Sequence, residues 1–151
     1  MPNTNPIPKG YHTVTPYMTL KNASQAIEFY KKAFGAVEVM RMPGPDGTIG
    51  HAEVRLGDSV VMLAEARGEW QPRPGALYLY VHDTDAAYQR ALQAGATSLM
   101  EPADQFYGDR AAKVKDPFGY NWHIHTHIRD VPQDELEREM KKQMERQMQH
   151  V

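Results

Sequence analysis

Thr15-Pro16-Tyr17-Met18-Thr19-Leu20 and Ala76-Leu77-Tyr78-Leu79-Tyr80-Val81 are one strand written twice, and the pair decides the fold. Tyr17, Leu20 and Ala26 recur at the spacing of Tyr78, Val81 and Ala87, so each strand runs into a helix at the same offset. In the first helix Ala26, Ile27, Phe29, Tyr30, Ala33 and Phe34 form an apolar stripe that ends at Gly35, with Asn22 or Ser24 as the expected N-cap. In the second, Ala87, Ala91, Leu92 and Ala94 end at Gly95, with Asp83 or Thr84 as the expected cap. Extended segments follow each helix, closed by Gly57-Asp58 in one half and by Asp116-Pro117-Phe118-Gly119 in the other. Self-similarity of this length decides architecture before any local reading does. It predicts an α+β fold of two β-α-β-β-β modules, about residues 12–66 and 75–128, within a single domain spanning 11–130. The modules are expected to form a curved eight-stranded mixed sheet around a cleft, with both helices on its convex side, and the cleft is the expected ligand site.

Composition narrows the class. At 151 residues, with 41% hydrophobic and 24% charged residues, the chain can bury one genuine core shared by the modules. A net charge of -2 gives no electrostatic case for nucleic acid or an anionic membrane as partner. No apolar run approaches the length of a membrane span, and Met1 to Gly10 is polar and proline-rich rather than signal-like. The lack of Cys removes disulfides, thiolate ligands and a Cys nucleophile together, and a cytoplasmic location is the expectation.

Four phrases carry a family resemblance: Ala26-Ile27-Glu28-Phe29-Tyr30 with Phe34-Gly35-Ala36; Arg55-Leu56-Gly57-Asp58-Ser59; Phe106-Tyr107-Gly108-Asp109-Arg110; and Asp116 to Trp122. In these the chain resembles the vicinal oxygen chelate superfamily, also called the glyoxalase/bleomycin-resistance/dioxygenase fold, and within it the PhnB-like branch. The resemblance spans roughly Tyr11 to Asp130. It implies the fold firmly and the reaction hardly at all, because this fold hosts isomerases, dioxygenases, thiol transferases and metal-free drug-binding proteins. It also implies a homodimer. Metalloenzymes of the superfamily draw ligands from four strand positions, which here fall on Thr15, Met62, Ala76 and His123. Only His123 is a usual ligand, since a thioether and a methyl group offer nothing to Zn, Ni or Mn. The resemblance therefore implies a standard four-ligand centre that this chain does not retain, and a divalent metal is not favoured as cofactor.

Other polar residues offer an alternative site. A two-residue turn at Gly57-Asp58 pairs Leu56 with Ser59 and, in the same register, Glu53 with Met62. If Met62 faces inward, then so do Glu53, His51 and Arg55, by the period of two. His51 and Glu53 opposite His123 would make either a rebuilt metal site or an acid/base group; a strand turned to solvent is the other reading, and a slip of one residue exchanges the two. His123, His125 and His127 project from one side of the last strand, and His125 and His127 read as a strand end emerging into solvent. Tyr17 and Tyr78 are candidate ligand contacts. So are Tyr107 and Arg110, on the loop Gln105 to Arg110, and Lys113 on the strand that follows, with Arg110 suited to a carboxylate or phosphate.

Two function classes stay open: a lyase, isomerase or dioxygenase using Glu53, His51 and His123, and a metal-free binding protein of the bleomycin-resistance kind holding a small molecule. No P-loop, dinucleotide glycine motif or Gly-x-Ser-x-Gly elbow occurs. Beyond the repeat, residues 131–151 read as a helical extension. Asp130 with Gln133 resembles a capping box, Pro132 suits a first turn, and Glu137 with Lys141 reads as an i,i+4 ion pair. Leu136, Met140, Met144 and Met148 form a narrow stripe expected to dock on the domain or on a partner subunit.

Overall fold

A computed structural model describes residues 4–150. The first module comprises β1 (Tyr17–Leu20), α1 (Ala23–Phe34), β2 (Val37–Pro43), β3 (Ile49–Leu56) and β4 (Ser59–Glu65). The second comprises β5 (Ala76–Tyr80), α2 (Thr84–Ala94), β6 (Thr97–Asp104), β7 (Asp109–Lys115) and β8 (Asn121–His127), and α3 (Gln133–Gln149) follows. The β-α-β-β-β repeat and the α+β class are thus as the sequence implies. The strands hydrogen-bond as two four-stranded mixed sheets, β1-β4-β3-β2 and β5-β8-β7-β6. In each, the first strand runs parallel to the last and the other pairs are antiparallel.

The turn at Gly57 sets the register that its length requires. Leu56 pairs with Ser59 and Glu53 with Met62. Alternation then gives each sheet one face for its helix. Met18, Leu20, Ala52, Val54, Leu56, Val61 and Leu63 are buried on the α1 side, and Ala112, Val114, Trp122 and Ile124 on the α2 side. The opposite faces carry Tyr17, His51, Glu53 and Met62 in the first module, and Tyr78, Lys113, His123 and His125 in the second.

The cap of α2 is one the sequence offers, and that of α1 differs in its side-chain bond. Asp83 caps α2, its carboxylate accepting from Ala86 N at 3.0 Å. Asn22 occupies the N-cap of α1 but makes no side-chain cap, because its backbone is left-handed at φ 63. Glu65, at the end of β4, takes over and accepts from the backbone N–H groups of Asn22 (2.8 Å) and Ala23 (3.1 Å). A carboxylate at that end also suits the helix dipole.

The modules are joined by side chains from α1. The rings of Phe34 and Tyr30 pack on Trp122 at 4.7 and 5.2 Å between centroids, and Phe29 meets Phe118 edge-on. At their centre lies Asp116, buried, which accepts from Tyr30 Oη (2.7 Å), Trp122 Nε1 (2.9 Å), Phe118 N (2.9 Å) and Tyr120 N (2.9 Å). Buried ionisable groups persist only when satisfied in this way. Burial, followed by the charge and hydrogen bond of Asp116, pushes the Tyr30 phenol far above its ordinary pKa, so it stays a donor.

The C-terminal helix forms, but two expectations about it fail, its capping box and its Glu137–Lys141 pair. Pro132 is the N-cap and gives no side-chain cap, while Asp130 accepts from His127 Nε2 at 2.7 Å instead of capping. Ion pairs form at Asp134–Arg138, Glu139–Lys142 and Arg129–Glu135 rather than at Glu137–Lys141. No residue of α3 is buried, and Met140, Met144 and Met148 remain exposed, so the stripe is not docked within the chain. The start of the helix is nevertheless positioned. The Gly108 carbonyl accepts from Ile128 N (2.8 Å) and Arg129 N (3.1 Å). Gly108 itself has φ +97, and a Cβ there would run into the Arg129 carbonyl oxygen.

Candidate ligand-binding site

The open face of the first module holds a short polar chain. Glu53, 5% exposed, accepts from Tyr11 Oη on one carboxylate oxygen and sits 2.8 Å from His51 Nε2 on the other. Burial works to raise the Glu53 pKa, but the hydrogen bonds from Tyr11 and His51 outweigh it and hold the carboxyl below its ordinary range. Tyr17 stacks against His51 at 6.1 Å. Both oxygens of Glu53 are therefore engaged, and the segment carrying Tyr11 covers them.

His123 lies on the other module. It stacks on Tyr78 at 4.6 Å and 10°, beside Lys113 in register, with Nδ1 buried and without a partner. Burial, then Lys113 and His125, hold its pKa below the ordinary value, so it is neutral near pH 7. Among the described residues, no group of three or more His, Asp or Glu side chains is set to hold one metal ion, and the triad of His51, Glu53 and His123 is not assembled within one chain. At the four positions that the superfamily uses, Met62 presents a thioether, Ala76 a methyl group, and the Thr15 hydroxyl donates to the His12 carbonyl at 3.2 Å. Those residues do not fit Zn, Ni or Mn.

Arg110 does not join the site. It lies three residues from Lys113 on β7, hence on the opposite face, where it grips Asp85 with Nε (2.6 Å) and Nη2 (2.8 Å) and reaches Asp104 with Nη1 (3.1 Å). Lys113, Tyr78 and Tyr107 share the open face.

His125 behaves unlike a strand end. It is 0% exposed, and its Nδ1 sits 3.0 Å from Asp109 Oδ2. The other oxygen of Asp109 lies 2.8 Å from His127 Nδ1. The hydrogen bonds to Asp130, then to Asp109, hold the pKa of His127 above its ordinary value. The rings of Tyr78 (4.4 Å), Tyr80 (6.0 Å) and Tyr107 (6.1 Å) surround the His125 imidazole. Sequence reasoning missed this cluster, although Ala111 opposite His125 leaves room for a ring to lie flat on the sheet.

Above these rings is a cavity of about 820 Å³ between the second module and α3. Tyr78, Tyr80, Phe106 and Tyr107 make one wall, and the stripe of α3 makes the other. Burial, with Tyr78, Asp109 and Tyr80 nearby, raises the Tyr107 pKa, so its phenol keeps its proton. A second cavity, of about 750 Å³, separates the modules between Val60–Val61 and Leu77–Val81. Of the candidate residues, only Tyr78 borders both cavities.

The comparisons with known proteins fit this architecture. The model of the Glyoxalase/Bleomycin resistance protein/Dioxygenase superfamily matches residues 12–124, and the chain belongs to that superfamily. An uncharacterised protein of Mycobacterium tuberculosis is 40% identical over 135 residues, covering 82% of this chain and 79% of its own. Among solved structures, TioX from Micromonospora sp. ML1 superposes with a TM-score of 0.67 at 23% identity, over 78% of this chain and 99% of its own. A PhnB protein from Bacillus cereus does so with a TM-score of 0.61 at 17% identity, over 76% and 99%. Among the described residues, no helix is long and apolar enough to cross a membrane.

Proposed function

We propose that this chain is a small-molecule-binding member of the superfamily that works without the standard metal centre, located in the cytoplasm and paired with a second copy of itself. The observation that carries the reading is the cavity of about 820 Å³, walled by four aromatic rings and the α3 stripe. A concave, mostly apolar site with a few polar groups at its floor is the usual form of a ligand pocket. Aromatic rings and flexible Met side chains adapt to a flat guest. The exposed Tyr17, on the open face of the first module, is also a surface that a second copy would cover.

The enzyme reading, a lyase, isomerase or dioxygenase built on Glu53, His51 and His123, has less support. Glu53 is committed to Tyr11 and His51, and His123 stands on the other module. Titration with pyrene, a neutral ring whose fluorescence reports its surroundings, tests the binding reading. Saturable binding that Tyr107→Ala weakens supports it, and no saturable binding overturns it. Stoichiometric metal in protein purified without a His tag would overturn the metal-free part.

A further inference from the structure

We infer that residues 4–14 are a strap over the open face of the first module, pinned by Tyr11 on Glu53, and that the space it closes is a binding site for a small phenol, whose hydroxyl takes the place of Tyr11's. This site lies apart from the cavity beneath α3 and does not rest on the reading of that cavity.

The strap is held at one buried point. Residues 4–14 form no helix or strand, and each is exposed except Tyr11, which is half-buried. Among the described residues, two side chains hydrogen-bond this segment to the domain. His12 Nε2 sits 2.9 Å from the Asp58 carbonyl, on an exposed turn, and Tyr11 Oη donates to Glu53 Oε1. The bond to Glu53, then burial, holds the Tyr11 phenol above its ordinary pKa, so it keeps the proton it donates.

The repeat shows that the fold does not require such a cover. By register, the row Tyr17, Met62 and Glu53 of the first sheet corresponds to the row Tyr78, His123 and Lys113 of the second. Ahead of β5, however, the chain runs to the edge of β1, where Arg73 N donates to the Thr19 carbonyl at 3.1 Å. The second module builds the same sheet with its corresponding segment placed elsewhere.

The space under the strap has a polar floor and apolar walls. A cavity of about 390 Å³ lies between Pro6, Ile7, Pro8 and Tyr11 on one side and Glu53 and Met62 on the other. Glu53 is buried, with one oxygen 2.8 Å from His51 Nε2 and the other on Tyr11. A buried carboxylate has to keep its donors, so whatever displaces Tyr11 brings an O–H of its own, and a second anion is repelled. The thioether of Met62 and the apolar strap residues suit a ring beside that hydroxyl. Tyr11 itself shows that a phenol hydroxyl reaches Oε1.

The test uses the full chain and p-cresol as probe, with two controls: toluene, which lacks the hydroxyl, and p-toluate, which carries a negative charge in its place. Binding is followed by amide chemical shifts. In wild type, p-cresol is expected to shift Gly10 to Thr13 and Glu53 saturably, toward the positions they hold in Tyr11→Phe, which keeps the ring but frees the pin. Toluene should leave these signals in place. Tyr11→Ala, in which no pin competes, should bind p-cresol about ten-fold more tightly than wild type does, and about ten-fold more tightly than it binds either control. Glu53→Gln added to Tyr11→Ala should remove the preference for p-cresol over p-toluate. If p-cresol fills Tyr11→Ala but leaves the strap signals of wild type unmoved, Tyr11 is a fixed anchor of the fold and the inference is overturned. It is overturned equally if either control binds Tyr11→Ala as tightly as p-cresol does. The wild-type titration needs no substitution, so a variant that fails to fold leaves the test intact.

Discussion

The Tyr30 hydroxyl donates to the Asp116 carboxylate at 2.7 Å, and this bond ties the helix of one module to the glycine turn of the other. Asp116 also holds the Trp122 indole and two backbone N–H groups of its own turn. Tyr30→Phe removes one donor to a charged acceptor and should lower stability by about 1.5–3 kcal/mol. Asp116→Ala leaves all four donors without a partner and should cost more than that. Denaturant midpoints measure both, and a Tyr30→Phe loss equal to the Asp116→Ala loss would contradict the assignment of Asp116 as the shared acceptor.

His127 should make stability depend on pH. Its folded pKa is raised, first by Asp130 and then by Asp109, above an unfolded value near 6.5. Protonation thus favours the folded chain. The contribution is complete below about pH 6.5 and is lost as the pH rises through the folded value. His123 acts in the opposite sense, because its pKa is lowered and acid protonates it more readily in the unfolded chain. Comparing wild type with His127→Gln cancels that second effect. The gap in Tm between them should be widest in mild acid and should close at alkaline pH; a constant gap would contradict the pairing.

Arg110 and Lys113 should separate cleanly. Arg110→Ala breaks a half-exposed pair with Asp85 and should cost roughly 1 kcal/mol or less, with no change in pyrene affinity. A weaker pyrene complex in that variant would place Arg110 in the site after all.

Removing residues 133–151 should abolish pyrene binding while leaving thermal stability almost unchanged, since no residue of α3 is buried in the chain. A large fall in Tm together with a loss of dimer mass in light scattering would instead assign the stripe to the interface with a second copy.

Much of this was legible because β-structure counts in twos. The repeat, the helix stripes and the two-residue turn at Gly57 determine which face Glu53 and Met62 share, and the structure has that register. The same parity places Arg110 opposite Lys113, which the appeal of a guanidinium near a cleft had obscured. Contacts distant in sequence were not legible. Nothing local announces that Glu65 caps α1, or that Asp109 draws His125 into the sheet and His127 beside it. Nor does a periodic Met stripe say whether its helix will lie down on the domain or hold off to roof a cavity.

Gly108 brings these pieces under one control. Its carbonyl anchors Ile128 and Arg129, its missing side chain lets that strand exit pass, and the loop around it carries Tyr107. The floor ring and the departure point of α3 are therefore registered to a single backbone position rather than to each other. The width of the cavity is a tolerance set at that one position: a methyl group at residue 108, beside the wall residue Tyr107 but itself outside the lining, would misalign both walls together, whereas a change in either wall would alter only the fit of that wall.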